Sequence, residues 1–402
     1  MISRIEVANF RSLRKFAADL KPLTVLIGKN DTGKTNLLRA IEFWSQLVRT
    51  GSVDEIEMRG ATTVGSGSDE IRFTITASDP SLGDTTIVHQ MTVDARQHCI
   101  VSEDLSAGSA FARITRRTND WHTEASAGGA EQPKGETGLS VPKKSALRLA
   151  LEDPPIPKLV ASRAAMRATR IYRLEASLMK EPSALISGLE SDGRGLASAL
   201  DDLLSSDRGA FDAIERELCL ALPSVRGIKL AKRRVEVWKK TNPHQQGRFE
   251  EGGKEIIFRI LDGIEIPASE LSDGAILLLG YLVLLSMPDQ PRILLLEEPE
   301  NGVHPSQLSR VARHLTSLAG RAGRQVVITT HSPYLLDFVP PESVLVMGRR
   351  ANGDTFAAPL LSIPSARARL DGGFSLGELW FNVGEDALLE EAERGHEASA
   401  GK

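Results

Sequence analysis

Residues 28–35 run Gly28-Lys29-Asn30-Asp31-Thr32-Gly33-Lys34-Thr35, the spacing G-x-x-x-x-G-K-[ST]. These types at these intervals suit one task. Backbone N–H groups of a loop with glycines near both ends can wrap a polyphosphate, because no Cβ blocks the close approach. Lys34 is placed to reach the β- and γ-phosphates, and the Thr35 hydroxyl to hold Mg²⁺. An ordinary glycine-rich turn is the competing reading, and the flanks weigh against it. Leu23-Thr24-Val25-Leu26-Ile27 ahead of the loop is a β-branched apolar run, which reads as a buried strand. From Asn36 to Val48, apolar Leu37, Leu38, Ile41, Trp44 and Val48 recur at helical spacing. Strand, loop and helix put the phosphates at a helix N-terminus, where peptide dipoles favour anions.

Three further stretches carry candidate chemistry. Arg292-Ile293-Leu294-Leu295-Leu296-Glu297-Glu298-Pro299 is a buried strand ending in two acids. Carboxylates at the C-terminal end of a strand are where an α/β sheet presents its chemistry. In nucleoside triphosphatases the first acid helps hold Mg²⁺ and the second polarises the attacking water. Val326-Val327-Ile328-Thr329-Thr330 is a second such strand, closed by His331, which could hydrogen-bond a γ-phosphate. Leu308, Val311, Leu315 and Leu318 mark a helix between the two, so a right-handed strand–helix–strand crossover is expected. Ahead of the acids, Leu271-Ser272-Asp273-Gly274 leads into the apolar helix Ala275–Leu285. Ser272 there reads as an N-cap, and also as a hydroxyl beside free N–H groups that can bind phosphate.

The elements that must position these residues suggest an α/β class. The expected organisation is a nucleotide-binding core from 1–50 plus 255–348, an inserted lobe at 51–254, and a C-terminal extension at 349–402. Ile71–Thr76 and Thr86–Val93 alternate apolar and polar residues, as antiparallel half-buried strands do. Residues 125–141 are rich in Gly, Ala, Ser and Pro and read as a mobile loop. Helical patterns return around 192–222. No heptad pattern persists through the middle region, which argues against a long coiled-coil arm.

Bulk properties exclude several classes. The 402 residues are 41% hydrophobic and 25% charged, with a net charge of −4, so no global excess of positive charge points to nucleic acid. Two cysteines, Cys99 and Cys219, argue for a reducing compartment and against a disulfide framework or a zinc site. The N-terminus is charged where a signal peptide would be apolar, and the apolar run Ala275–Leu285 is too short to span a bilayer. A cytoplasmic protein that does not engage membranes is expected.

Taken in order, the phosphate loop, the Leu-Ser-x-Gly stretch, the Glu-Glu strand and the strand with histidine resemble the ATP-binding cassette (ABC) class. The narrower resemblance is to soluble RecF/SMC/OLD-like AAA-family ATPases. It rests on Asn9-Phe10-Arg11-Ser12-Leu13, on Ala268 to Gly274, on Leu296 to Pro305, and on Gly373 to Trp380. The resemblance implies an ABC-type head: a P-loop fold whose mixed, largely parallel sheet is flanked by helices, with an antiparallel β subregion and an inserted α/β lobe. It further implies two heads sandwiching two ATP molecules. Residues Gly28 to Asn36 of one head would grip nucleotide, and Leu271, Ser272, Asp273 and Gly274 of the other would close on the γ-phosphate. Thr35 and Glu297 would serve Mg²⁺, Glu298 would be the catalytic base, and His331 the γ-phosphate switch. The broader class usually has aspartate where this chain has Glu297, and the extra methylene moves the carboxylate outward by roughly 1.5 Å. The glutamine that usually joins metal to inserted lobe has two candidates, Gln46 and Gln90.

Two roles fit such an ATPase. One is DNA-related work, repair or antiviral defence, with a separate effector. Its support is basic clusters at Arg163, Arg167, Arg170 and Arg173, and at Lys232-Arg233-Arg234 and Lys239-Lys240 around Trp238. A solvated helix face or strand is the plainer reading of each cluster. The other role is an ATP-gated scaffold that holds and releases a toxin or nuclease, to which the acidic residues after Gly384 could contribute a docking surface. OLD nucleases carry a Toprim domain after the ATPase. Only about 70 residues follow His331, less than a normal domain of about 100 residues, so the effector is expected to be another polypeptide.

Overall fold

The computed structural model describes residues 1–402 apart from 51, 54–57, 59, 64–66, 84, 118–119, 128–133, 139–155, 167–168, 186–187, 243–244, 289–290 and 401–402. In chain order it runs β1 (Ile2–Phe10), β2 (Leu13–Asp19), β3 (Leu23–Ile27), α1 (Lys34–Thr50), β4 (Glu70–Ser78), β5 (Thr86–Asp94) and β6 (Cys99–Ala107). There follow β7 (Ala110–Arg117), β8 (Asp120–Ser126), β9 (Lys134–Gly138), α2 (Pro157–Met166), β10 (Thr169–Tyr172), α3 (Ala176–Met179), β11 (Ser183–Ala184), α4 (Leu196–Ser206) and α5 (Arg208–Ala221). Next come β12 (Val225–Asn242), β13 (Gln245–Ile260), β14 (Glu265–Pro267), α6 (Asp273–Ser286), β15 (Ile293–Glu297), α7 (Pro305–Ala319) and β16 (Gln325–Thr329). The chain closes with α8 (Pro333–Leu336), β17 (Val344–Arg349), β18 (Thr355–Pro359), α9 (Pro364–Asp371), α10 (Leu376–Val383) and α11 (Glu385–Ala400).

Two compact units divide these elements. The first holds Met1–Ile171, Pro291–Leu295 and Ala319–Lys402, and the second holds Tyr172–Gln290 and Leu296–Leu318. The segment expected as one inserted lobe is therefore shared between the units, and residues 349–402 belong to the first.

In the first unit, a sheet ordered β10-β15-β16-β3-β17-β18 carries β3 near its middle. Parallel neighbours flank β3 on both sides, with Thr329 opposite Leu26 and Val346 opposite Ile27. A strand covered on both edges and both faces is mostly apolar; all five residues of β3 are buried, and its one polar side chain, Thr24, donates to Lys21 O at 3.1 Å. The edge hairpin β17–β18 is antiparallel, which makes the sheet mixed. An eight-stranded sheet ordered β2-β1-β4-β5-β6-β7-β8-β9 forms the antiparallel subregion. Its alternating strands place Ile71, Phe73, Ile75, Ile87, Met91 and Val93 in one core with Trp44, Leu37 and Ile41 of α1. The segment read as a loop at 125–141 includes β9, paired with β8 through Trp121–Gly138 to Ala125–Lys134. Residues 128–133 and 139–141 of that segment lie outside the described residues. The pairing is with the strand immediately before it, and a Gly- and Ser-rich composition does not report it.

In the second unit, β12 and β13 form a long antiparallel hairpin, with β11 and β14 also paired to β13. Helix α6 is buried from Ala275 to Leu285 on every side. An all-round apolar helix has no solvent face, and its burial explains why its composition is nearly continuous Leu, Ile, Val and Tyr.

Candidate functional site

The phosphate-binding half lies in the first unit. The loop leaves β3 at Gly28, whose φ of +145° is denied to L side chains, and a Cβ there would collide with the Met347 carbonyl. Gly33 has φ +96°, and its Cβ would lie 2.6 Å from Thr355 Oγ1 and 2.8 Å from Ser12 Oγ. Both glycines are thus required by fold and by neighbours. Asp31 also takes positive φ, at +65°. The Thr32 hydroxyl donates to Lys29 O at 2.8 Å, and Leu37 N–H donates to Gly33 O at 3.0 Å to open α1. Lys34 is buried, and its ammonium donates to Gly28 O at 2.6 Å and Lys29 O at 2.7 Å. The cation is therefore held inside the curve of the loop. Asn36 Nδ2 donates to Ser12 Oγ at 2.9 Å, and the Thr355 hydroxyl donates to the same oxygen at 3.0 Å. Outside the curve, Asp31 pairs with Arg349, and Lys29 with Asp386.

His331 belongs to the same unit. It follows β16, the strand beside β3, on the turn into α8. Thr330 N–H donates to Leu26 O at 3.1 Å, and Ser332 N–H to Thr330 Oγ1 at 3.0 Å. The Ser332 hydroxyl accepts from Leu335 N–H at 3.3 Å and caps α8, so the half-buried histidine is carried on a braced turn.

The second unit holds the other candidates. Glu297 ends β15 and Glu298 follows with φ +48°, a strained value for a residue with a Cβ. The side-chain amide of Asn301 donates to Glu298 Oε2, and Asn301 N–H donates to Glu298 O at 3.0 Å, which closes a turn around the acid. Ser272 stands at the N-cap position of α6, yet its side chain makes no capping bond and it is exposed. The expected N-cap is thus an N-cap in backbone only. Gly274 lets α6 approach the loop after the acids: a Cβ there would come within 2.9 Å of Gly302 O. The structure so brings Leu271–Gly274 beside the loop that follows Glu298. Asp273 takes a salt bridge from Lys180 at 2.6 Å, and Glu297 Oε2 lies 4.0 Å from the Arg173 guanidinium.

Several residues escaped the sequence reading. Ser12, Thr355, Arg349 and Asp386 brace the phosphate loop from far along the chain. Ser12 and Asp386 lay within stretches already singled out, but for other roles. Arg173 and Lys180 flank the acid and serine loops of the second unit, and Arg173 had been grouped with a different set. That set does not form one face: Arg163 is on α2 and Arg170 on β10, while Arg167 lies outside the described residues. Arg163 instead donates to the last carbonyls of α1, Val48 O at 2.8 Å and Arg49 O at 2.6 Å. Gln46 and Gln90 both stand in the first unit, on α1 and β5.

The chemistry of the phosphate half fits a nucleoside triphosphate with Mg²⁺. The loop is a cradle that a Cβ would fill, a buried ammonium points into it, and α1 carries no acid in its first turn. Among the described residues no group of three His, Cys, Asp or Glu side chains is placed to hold a metal. In the first unit the Thr35 hydroxyl at the start of α1 is a hard oxygen beside the loop, and in the second unit the Glu297 carboxylate is another. Mg²⁺ in nucleotide sites commonly takes one or two protein oxygens and fills its shell from phosphates and water.

The sheet order, the phosphate loop on β3, the acids ending β15 and the antiparallel subregion define an ABC-type ATPase head of the RecF/SMC/OLD group. The chain belongs to the family described as "AAA domain, putative AbiEii toxin, Type IV TA system", matched over residues 23–337. In fold it is similar to an SMC head solved in complex with the C-winged helix domain of ScpA. That alignment has a TM-score of 0.55 and 12% identity, and covers 89% of this chain and 97% of that one. A shorter likeness, 48% identity over 42 residues, joins it to an OLD nuclease of Thermus scotoductus (strain ATCC 700910 / SA-01). It spans 10% of this chain and 8% of that protein. Among the described residues no helix is long and apolar enough to cross a membrane.

Proposed function

We propose that the chain is a Mg²⁺-dependent ATPase whose heads close on ATP as a homodimer and pass that state to a separate effector polypeptide. The observation that carries this reading is the phosphate loop itself, with Lys34 buried inside its curve and glycines at 28 and 33 where a Cβ would meet its neighbours at a positive φ. Gly28 to Asn36 would hold the phosphates through backbone N–H groups and the Lys34 ammonium. Mg²⁺, held by Thr35 and Glu297, would neutralise charge on the phosphates. Glu298 would orient a water and take its proton as the water oxygen attacks the γ-phosphorus and the bond to the β–γ bridging oxygen breaks. Its strained backbone and the Asn301 clamp support that role, because both fix the carboxylate in advance of reaction. His331 would donate to the γ-phosphate. Exposed Ser272, uncommitted as a cap, supports a role for Leu271–Gly274 of one subunit at the γ-phosphate of the other.

The test is Glu298→Gln. It is expected to bind ATP as the parent does, to lose turnover by about 10² or more, and to run as an ATP-dependent dimer in size-exclusion chromatography with light scattering. Turnover at the parent rate would sink the assignment of Glu298.

For the biological role, a specific observation favours the ATP-gated scaffold over direct work on DNA. Four basic residues of the β12–β13 hairpin are matched across strands by acids. Arg234 meets Glu250 at 3.2 Å, Arg233 meets Glu255 at 3.7 Å, Lys229 meets Glu265 at 2.9 Å, and Arg248 meets Glu236. Phosphate binding draws on cations that release counterions, and locally neutralised ones contribute little. The side chains of Trp238, Lys239 and Lys240 lie outside the described set. Exposed Tyr334, Phe338, Phe374 and Phe381 of the first unit favour a protein partner such as a toxin or nuclease. The acidic tail supports that partner less than its composition suggests, since Asp386 pairs with Lys29 and Glu391 accepts from Ser365. On the scaffold reading, labelled duplex DNA shows no anisotropy change at low salt with or without ATP. Binding that falls steeply with salt would restore the DNA role.

A further inference from the structure

The short segment Tyr172–Lys180 opens the second unit and carries two cations. Arg173 reaches Glu297 Oε2 at 4.0 Å, and Lys180 reaches Asp273 Oδ1 at 2.6 Å. One segment thus places a positive charge on each of the two site-bearing loops of its unit. Its backbone is fixed independently of either ion pair. Arg173 N–H donates to Ser191 O at 2.8 Å and Glu175 N–H to Asp192 O at 2.9 Å. Leu174 and Met179 are buried against Gly280 of α6. The Arg173 side chain itself is 63% exposed, while Glu297 is 15% exposed. A guanidinium on a fixed base, with a solvated tip, therefore stands at a carboxylate that solvent reaches only in part.

We propose that Arg173 is the resident counter-cation of Glu297 and competes with the divalent metal for that carboxylate. A guanidinium and a doubly charged ion at one carboxylate repel each other, so metal binding must move the Arg173 tip outward, where its exposure leaves room. Arg173 thereby sets the metal concentration at which the head loads, and acts as a positioning residue with no part in bond breaking. The proposal rests on the reading of Glu297 as the metal-side acid given above.

The experiment measures the free Mn²⁺ concentration that half-saturates the full chain with bound ATPγS, read by electron paramagnetic resonance at buffered free metal. Arg173→Gln is expected to lower that concentration roughly 3- to 10-fold, the scale of one partly screened charge near 4 Å. Arg173→Lys keeps the charge and should stay near the parent value. High salt should shrink the difference between parent and Arg173→Gln, because exposed charges are screened. In a Glu297→Gln background the same replacement should change nothing. An unchanged or raised Mn²⁺ requirement in Arg173→Gln would overturn the proposal. So would metal-free ATPγS binding weakened by the same replacement, since Arg173 would then be a phosphate ligand. Failure of the parent protein to bind ATPγS at all would overturn the site reading beneath it, and is seen in a separate, metal-free titration.

Discussion

Lys34 is a buried ammonium whose hydrogen bonds go to the carbonyls of its own loop. That arrangement keeps the charge where phosphate oxygens would compete for it. Hydrogen bonds to charged groups contribute about 1.5–3 kcal/mol each. Lys34→Ala is therefore expected to weaken binding of a fluorescent ATP analogue by about 10-fold or more, with the far-ultraviolet circular dichroism unchanged. At Gly33 the constraint is steric. A methyl group meets the Ser12 and Thr355 hydroxyls at a φ that alanine avoids. Gly33→Ala should cost about 1–3 kcal/mol of stability in urea unfolding and weaken nucleotide binding with it. A parent-like midpoint and affinity would contradict the geometry.

At the scale of elements, α1 is the part that must hold the loop still, and it is tied at both ends and in the middle. Gly33 O opens it, and Arg163 closes it on the carbonyls of Val48 and Arg49. In its middle, Trp44 Nε1–H donates to His89 Nδ1 at 3.0 Å, and His89 Nε2 faces Glu103 Oε1 at 3.0 Å, all three side chains fully buried. An indole nitrogen can only donate, so Nδ1 accepts and Nε2 carries its hydrogen to the carboxylate. The chain Trp44–His89–Glu103 joins the phosphate-loop helix to β5 and β6 of the antiparallel sheet. Replacing His89 by Leu removes the acceptor of the buried indole N–H and one buried partner of the Glu103 carboxylate. The expected loss is about 1–3 kcal/mol in chemical denaturation, larger than for a surface histidine such as His304. A loss under about 1 kcal/mol would show that the three groups are not coupled. Sequence periodicity marks Trp44 as core, but gives no sign that its nitrogen needs a partner 45 residues away.

For the whole molecule, the division into two units sets what must work together. The phosphate loop and His331 lie in the first unit. The acids and the Leu271–Gly274 loop lie in the second. On the proposed reading, nucleotide turnover draws on both sets. The variant Gly274→Ala should show this: its methyl group would press on Gly302 O in the second unit while leaving the phosphate loop intact. ATP binding to the monomer is expected to persist within about 2-fold, and ATP-dependent dimerisation to fall by about 10-fold or more, scaling as about 1–3 kcal/mol of strain. Loss of binding and dimerisation together would argue against separate contributions.

Much of this was legible in the chain. The phosphate loop, the strand Leu23–Ile27, the apolar strands ahead of Glu297 and His331, and the buried helix after Gly274 are local patterns. Each follows from a spacing of a few residues: glycines where side chains cannot fit, continuous apolar residues where a strand is covered on both faces, an all-round apolar run where a helix has no solvent side. What the tertiary structure alone decided is which segments meet, some near in the chain and some far apart. Strand β4 pairs with β1, and residues 134–138 pair as β9. Four of the hairpin's basic residues meet acids across the strands. Arg173 comes to Glu297 from more than a hundred residues upstream. Local composition records which residues want burial or charge, and partners of that kind are chosen only when the chain closes on itself.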